Sequence, residues 1–186
     1  MGKVLSVGPD ATFPELRVFW STQNAPSAGL ISLGQIGTTS FAATDSGLVI
    51  YVLGKENVDT DEFDASVVAH EWAHYYQNAF SRDDSPGGPH DVSELLDRRL
   101  AFSEGWGNAW SGIALDRRSY TDSLDAAQRQ GLNMDLVANP GGPLGWYREA
   151  SVQAVLWQLN NRFGFGGIHQ AMAGGLRTTR AVTLVH

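Results

Sequence analysis

His70 and His74 stand four residues apart with Glu71 directly after the first, in Val67-Val68-Ala69-His70-Glu71-Trp72-Ala73-His74-Tyr75-Tyr76-Gln77. That spacing asks for a helix. In an α-helix, residues i and i+4 lie one turn apart on one face, so both imidazoles reach one point. In a strand the same two side chains would be about 13 Å apart. The flanks agree. Acidic residues cluster before the motif, where they complement a helix dipole, and Asp61 or Asp64 is placed to cap the first turn. Val67, His70, Ala73, His74 and Gln77 then fall on or near one face of a helix that ends by Phe80.

Before this helix the pattern is that of sheet. Glu15 to Ser21 alternates, with Leu16, Val18 and Trp20 on one side, as in a half-buried strand. Thr38–Thr44 and Gly47–Gly54 flank Asp45-Ser46-Gly47 and predict a hairpin. After the helix, residues 81–91 are rich in Ser, Gly and Pro and predict a loop. Ser93 is placed to cap a second helix through Leu115. Following another loop that includes 139–145, residues 146–163 predict a third, with Ala150, Val152, Val155, Leu156 and Leu159 inward. Residues 167–174 suggest a short helical piece, and 178–186 the opening of a further helix. Strands first and helices afterwards make the class α+β.

A chain of 186 residues suits one domain. Residues 1–80 would supply an N-terminal twisted β-sheet and the histidine helix, and 91–186 a mainly helical part. The net charge of −7 argues against nucleic acid or an anionic membrane as partner, since both require basic patches. No apolar run approaches the roughly 20 residues of a membrane span, and the N-terminus lacks the apolar core of a signal peptide. With no cysteine, any transition-metal site must use His, Asp or Glu. Trp72, Trp106, Trp110 and Trp157 sit at helical spacings that suggest core.

Two histidines on one helix face with a carboxylate beside them fit a zinc site, with Zn–N bonds of about 2.0–2.1 Å. Glu71 is angled to hold a water beside the metal and take its proton. Two ligands hold zinc poorly, and candidates for a third are His90, Glu104, His169, His186 and the acids of the 83–97 loop. Glu104 is flanked by Gly105, Gly107 and Ala109, small residues that let a second helix come close to the first. Asn108, one turn beyond Glu104, is placed to hydrogen-bond a ligand histidine.

The pairing of Val67–Gln77 with Ser103-Glu104-Gly105-Trp106-Gly107-Asn108-Ala109-Trp110 resembles the gluzincin metallopeptidases, the group that includes thermolysin. The glutamate segment is particularly similar to the E-G-W-S-D pattern of fungalysin-type enzymes. The resemblance implies a zincin-like fold, one zinc on His70, His74 and Glu104, and Glu71 as general base. Asn108 stands where that pattern has aspartate. His70–His74, "GGPH" at 87–90, "SEGWGNA" at 103–109 and "WYREASVQAVLW" at 146–157 together resemble uncharacterised bacterial predicted metallopeptidases over about residues 45 to 183. Those relatives run on beyond this point, so the chain would be a catalytic fragment. The implied residence is secreted or periplasmic.

The expected activity is a zinc-dependent endopeptidase acting on a peptide or protein substrate. The oxyanion formed at the carbonyl needs a donor; Tyr147 is the first candidate and His90 the second. Glu149, just inside the third helix, suits the helix N-terminus. Asp83 and Asp84 raise a structural calcium ion only faintly. A peptide would add as a strand to a sheet edge at Gly47–Gly54 or its partner. The alternatives are an aminopeptidase-like zinc hydrolase, which needs a group to hold a free amine, and an inactive peptide-binding domain. The sequence assigns no oligomeric state.

Overall fold

The structure is a computed structural model that describes residues 1–180 and 182–184. It is mixed α and β. A short α1 (Gly2–Leu5) precedes β1 (Leu16–Trp20), β2 (Ser40–Thr44) and β3 (Gly47–Val52), then α2 (Ala65–Phe80) and α3 (Arg98–Leu115). A second hairpin, β4 (Ser119–Leu124) and β5 (Gln130–Asp135), is followed by α4 (Glu149–Phe163) and α5 (Phe165–Ala171).

The first sheet has the order β1-β3-β2, with β1 parallel and β2 antiparallel to β3. The hairpin expected around Asp45–Gly47 is present. The half-buried face expected of β1 is not, because Val18 and Trp20 are 56% and 50% exposed. Helix α2 packs on β2 and β3, Val49, Ile50 and Val52 of β3 are buried, and β1 lies at the outer edge.

The main core lies between α2, α3, α4 and α5. Trp106, Trp110 and Tyr76 stack there with Phe165, and Trp157 joins them. Truncating one such buried tryptophan typically costs about 3–5 kcal/mol. The tryptophans are therefore core, as their spacing suggests, and Trp72 is partly buried against the same cluster.

Several boundaries differ from the sequence reading for identifiable reasons. Helix α3 begins at Arg98, not near Ser93. Asp97 accepts the Arg99 N–H and caps it, whereas Ser93 is held in a turn by Asp91, and the Leu96 N–H is spent on Tyr147 O. Neither Asp61 nor Asp64 caps α2 with its side chain; Asp64 Oδ2 instead accepts from Ser123 N and Oγ. On α4, Val155 and Leu159 are each 39% exposed, so its buried face runs along Ala150, Val152, Leu156 and Trp157.

The hairpin β4–β5 lies between α3 and α4, where the sequence reading has no strand, so strands do not all precede helices. It packs on α2 and α3 and stitches to the start of α2 through Thr121 N–H to Ser66 Oγ at 3.2 Å. The expected terminal helix is absent at residues 179, 180 and 182–184. Val182 is buried and donates its N–H to Asp84 Oδ1. Residues 181, 185 and 186, including the candidate His186, lie outside the described residues. Among the described residues, no helix is long and apolar enough to cross a membrane.

Candidate metal centre

Helix α2 presents His70, Glu71 and His74 as a group that could hold a metal ion, with one ligand atom of each within 4.8 Å of the others. Helix α3 crosses directly over it. Gly107 makes this crossing possible, because a Cβ there would lie 2.6 Å from His70 Cε1. Gly105 does the same against α4, where a Cβ would meet Val152 at 2.6 Å.

The close approach brings Glu104 to the two histidines. His70 Nε2 and His74 Nε2 are 3.0 Å apart, and Glu104 Oε2 lies 3.2 and 3.5 Å from them. One edge of a zinc tetrahedron with bonds of 2.0–2.1 Å is about 3.3–3.4 Å. The triangle thus has the dimensions of one tetrahedral face. Of the two ways to choose a third donor, Glu104 fits better than Glu71, since Glu71 Oε2 accepts the Phe41 N–H of β2 at 2.7 Å.

Both ring orientations are set from α3. Asn108 Oδ1 lies 2.8 Å from His70 Nδ1, and Ser103 Oγ lies 3.3 Å from His74 Nδ1. Asn108 Nδ2 donates to Glu149 Oε1 and Gln153 Oε1, so its oxygen is the atom turned to the histidine. Ser103 also donates to Gln77 Oε1. With each Nδ1–H given to an acceptor, each Nε2 is left to ligate.

A third histidine joins the cluster. His90 Nε2 lies 3.3 Å from Glu104 Oε2 and 3.9 Å from Glu149 Oε2. The loop reaches this position through Gly87 and Gly88, at φ 63 and 114, and His90 Nδ1 is 3.0 Å from Gly88 O. Electrostatics follow the crowding. Burial opposes charge on Glu104, but His70, His74 and His90 outweigh it and hold the carboxyl far below its usual range. Burial pushes His70 down, yet Glu104, then Glu71 and Glu149, leave it raised to about 9. His90 is raised to about 9, chiefly by its bond to Glu104. Burial raises Glu149.

His70, Glu71, His90, Glu104, Asn108 and Glu149 line a cleft of about 440 Å³ that also holds Tyr120, Asp122 and Met134 from the second hairpin, and His74 lines an adjoining hollow with Ser103. Two apolar hollows of similar size lie elsewhere, and no titratable side chain lines either.

The structure brings His70, Glu71, His74, Glu104 and His90 together, but not Tyr147. The Tyr147 ring folds back over Gly145 and its hydroxyl donates to Leu144 O at 3.4 Å, outside the cleft. The tyrosine that does line the cleft is Tyr120, whose ring centroid is 6.0 Å from that of His70. Tyr120 and Asp122 on β4, with Leu132 and Met134 on β5, recur at every second position. That alternation was the available signal for this wall. His169 serves elsewhere, 2.8 Å from the Tyr76 hydroxyl. Asp83 and Asp84 hold loops, through Ser85 N and Val182 N, and form no three-residue cation cluster among the described residues.

Compared with family models, curated proteins and solved structures, the chain gives no match.

Proposed function

We propose that this chain is a zinc-dependent peptidase of gluzincin type with a zincin-like fold, its metal held by His70, His74 and Glu104. The observation that carries the reading is the triangle of 3.0, 3.2 and 3.5 Å, made by the three donor atoms. Zinc bound there supplies a Lewis acid beside water and a substrate carbonyl.

The chain's own groups supply the rest. Glu71, one residue from the first ligand and steadied by the Phe41 N–H, takes the proton of the attacking water and returns it to the leaving amine. His90 and Tyr120 line the cleft and are the donors available to a developing oxyanion. In the sheet order β1-β3-β2, β3 is central and β2 is an edge, and Thr38 to Phe41 border the adjoining hollow with Glu71, His74 and Glu104. A peptide adding to β2 would lie across the cluster.

The test is digestion of denatured casein before and after chelation. Internal fragments that vanish with the chelator and return with zinc support the reading; intact casein beside a zinc-loaded protein contradicts it.

A further inference from the structure

We propose that Asp59, Asp61 and Asp122 form a second cation site in the cleft, built for calcium. The site is made from three segments. Asp59 belongs to the loop before α2, Asp61 opens the 3-10 turn Asp61–Phe63, and Asp122 is on β4. One carboxylate oxygen of each lies within 4.8 Å of the other two.

A cluster of acids alone would mean little, but each of these three carries an oxygen that is shielded from solvent and has no hydrogen-bond partner. Asp61 is 3% exposed, and its Oδ1 is one of these atoms. Among the described residues no Lys or Arg forms an ion pair with any of the three. Buried oxygens are ordinarily satisfied, because leaving them bare costs the full loss of their hydration. Three carboxylates gathered from three segments, each with one such oxygen, call for positive charge between them, a cation or a shared proton.

Protons are the other way to neutralise the cluster. Burial raises Asp61 to about 8 and, helped by the neighbouring Asp59, Asp122 to about 6. Asp59 and Asp61 also share a side-chain hydrogen bond, so a proton and a cation compete for this cluster.

The donors choose the ion. All are hard oxygens, with no nitrogen or sulfur to favour zinc or copper. Calcium accepts six to eight oxygens in a flexible shell at about 2.3–2.6 Å, whereas magnesium demands a near-ideal octahedron at about 2.0–2.1 Å. Carboxylates gathered from a loop, a 3-10 turn and a strand suit the more tolerant ion. Thr39 prepares the site, since its hydroxyl accepts from Leu53 N at 2.9 Å and donates to the other oxygen of Asp61. A lysine side chain of a substrate needs open access, and these oxygens are shielded.

The position gives the ion a structural task. The segment that leads into α2 is tied to the second hairpin by Asp125 N–H to Val58 O and by Gln128 Nε2 to Thr60 Oγ1, both 2.9 Å. Calcium would lock this junction, fixing the entrance of the histidine helix against the strand that carries Tyr120.

The experiment is calorimetric titration of calcium chloride into the full chain freed of metal, with thermal unfolding in parallel. The wild type should take one calcium saturably and unfold at a higher temperature with it, with magnesium weaker. Asp122→Asn and Asp61→Asn should each bind calcium at least tenfold more weakly. In calcium-free buffer both should unfold at or above the wild-type temperature, because like charge has been removed. Glu104→Ala should keep the calcium response, which separates this site from the zinc reading. No calcium binding by the wild type, or wild-type affinity in both asparagine variants, would overturn the proposal.

Discussion

Asn108 Oδ1 lies 2.8 Å from His70 Nδ1, across the contact between α3 and α2. The amide cannot turn round, because its nitrogen is held by Glu149 and Gln153 of α4. Three helices thereby fix one imidazole. An amide oxygen thus fills the place where an aspartate was expected by resemblance.

The first prediction concerns this contact. Asn108→Ala should weaken zinc affinity by about 10–100-fold, the usual effect of losing a partner behind a ligand. Asn108→Asp keeps an acceptor at His70 but sets a carboxylate oxygen against Glu149 Oε1, so its affinity should fall between those of the alanine variant and the wild type. Competition with a chromophoric chelator measures both. Equal affinity in all three proteins would mean that the contact does not orient the ligand.

Glu71→Gln separates metal binding from proton transfer. The variant should retain one zinc per chain and lose about 10²–10⁴-fold in kcat. Metal analysis beside a peptide-cleavage assay checks it. Undiminished turnover would remove Glu71 from the role of base.

Gly107→Ala tests the helix crossing. The new methyl would lie 2.6 Å from His70 Cε1, so α3 must withdraw or His70 must leave its rotamer. Overpacking of this kind costs about 1–3 kcal/mol, and the withdrawal should cost zinc as well. Urea unfolding and metal content of the variant give the two readouts. Wild-type values in both would show that the helices can part freely.

Much of this was legible in the sequence, and what was not has physical causes. The spacing of His70 and His74 is itself a helical instruction, and the alternation around Asp45–Gly47 encodes a hairpin directly. Glu104 could be singled out because glycines surround it, and Gly107 indeed lies against His70. The second hairpin escaped because Ser119–Leu124 is polar on both faces, so its period-2 signal is carried by Tyr120 and Asp122 more than by apolar residues. With it went the wall of the cleft. Tyr147 could not be judged from sequence, since its direction depends on how the chain turns at Gly145, where the Arg148 N–H closes on the glycine carbonyl.

The acidic trio predicts a pH effect of definite sign. Asp61 is raised by burial to about 8 when folded, against about 3.9 unfolded. Its contribution to stability is complete below about pH 4 and is lost as pH rises through about 8. In calcium-free buffer, the advantage of Asp61→Asn over wild type in unfolding temperature should therefore grow between pH 5 and pH 8, in about that window. Thermal unfolding of both proteins across the range checks it. A constant difference would mean that Asp61 stays charged throughout.

The most direct measurement of the central claim is the zinc content of the purified protein beside Glu104→Ala, with casein digestion on both. The account predicts about one zinc per chain in the wild type, its loss in the variant, and cleavage by the wild type alone. Equal zinc in the two proteins would show that Glu104 is not the third ligand, and the triangle of donors would no longer explain the site.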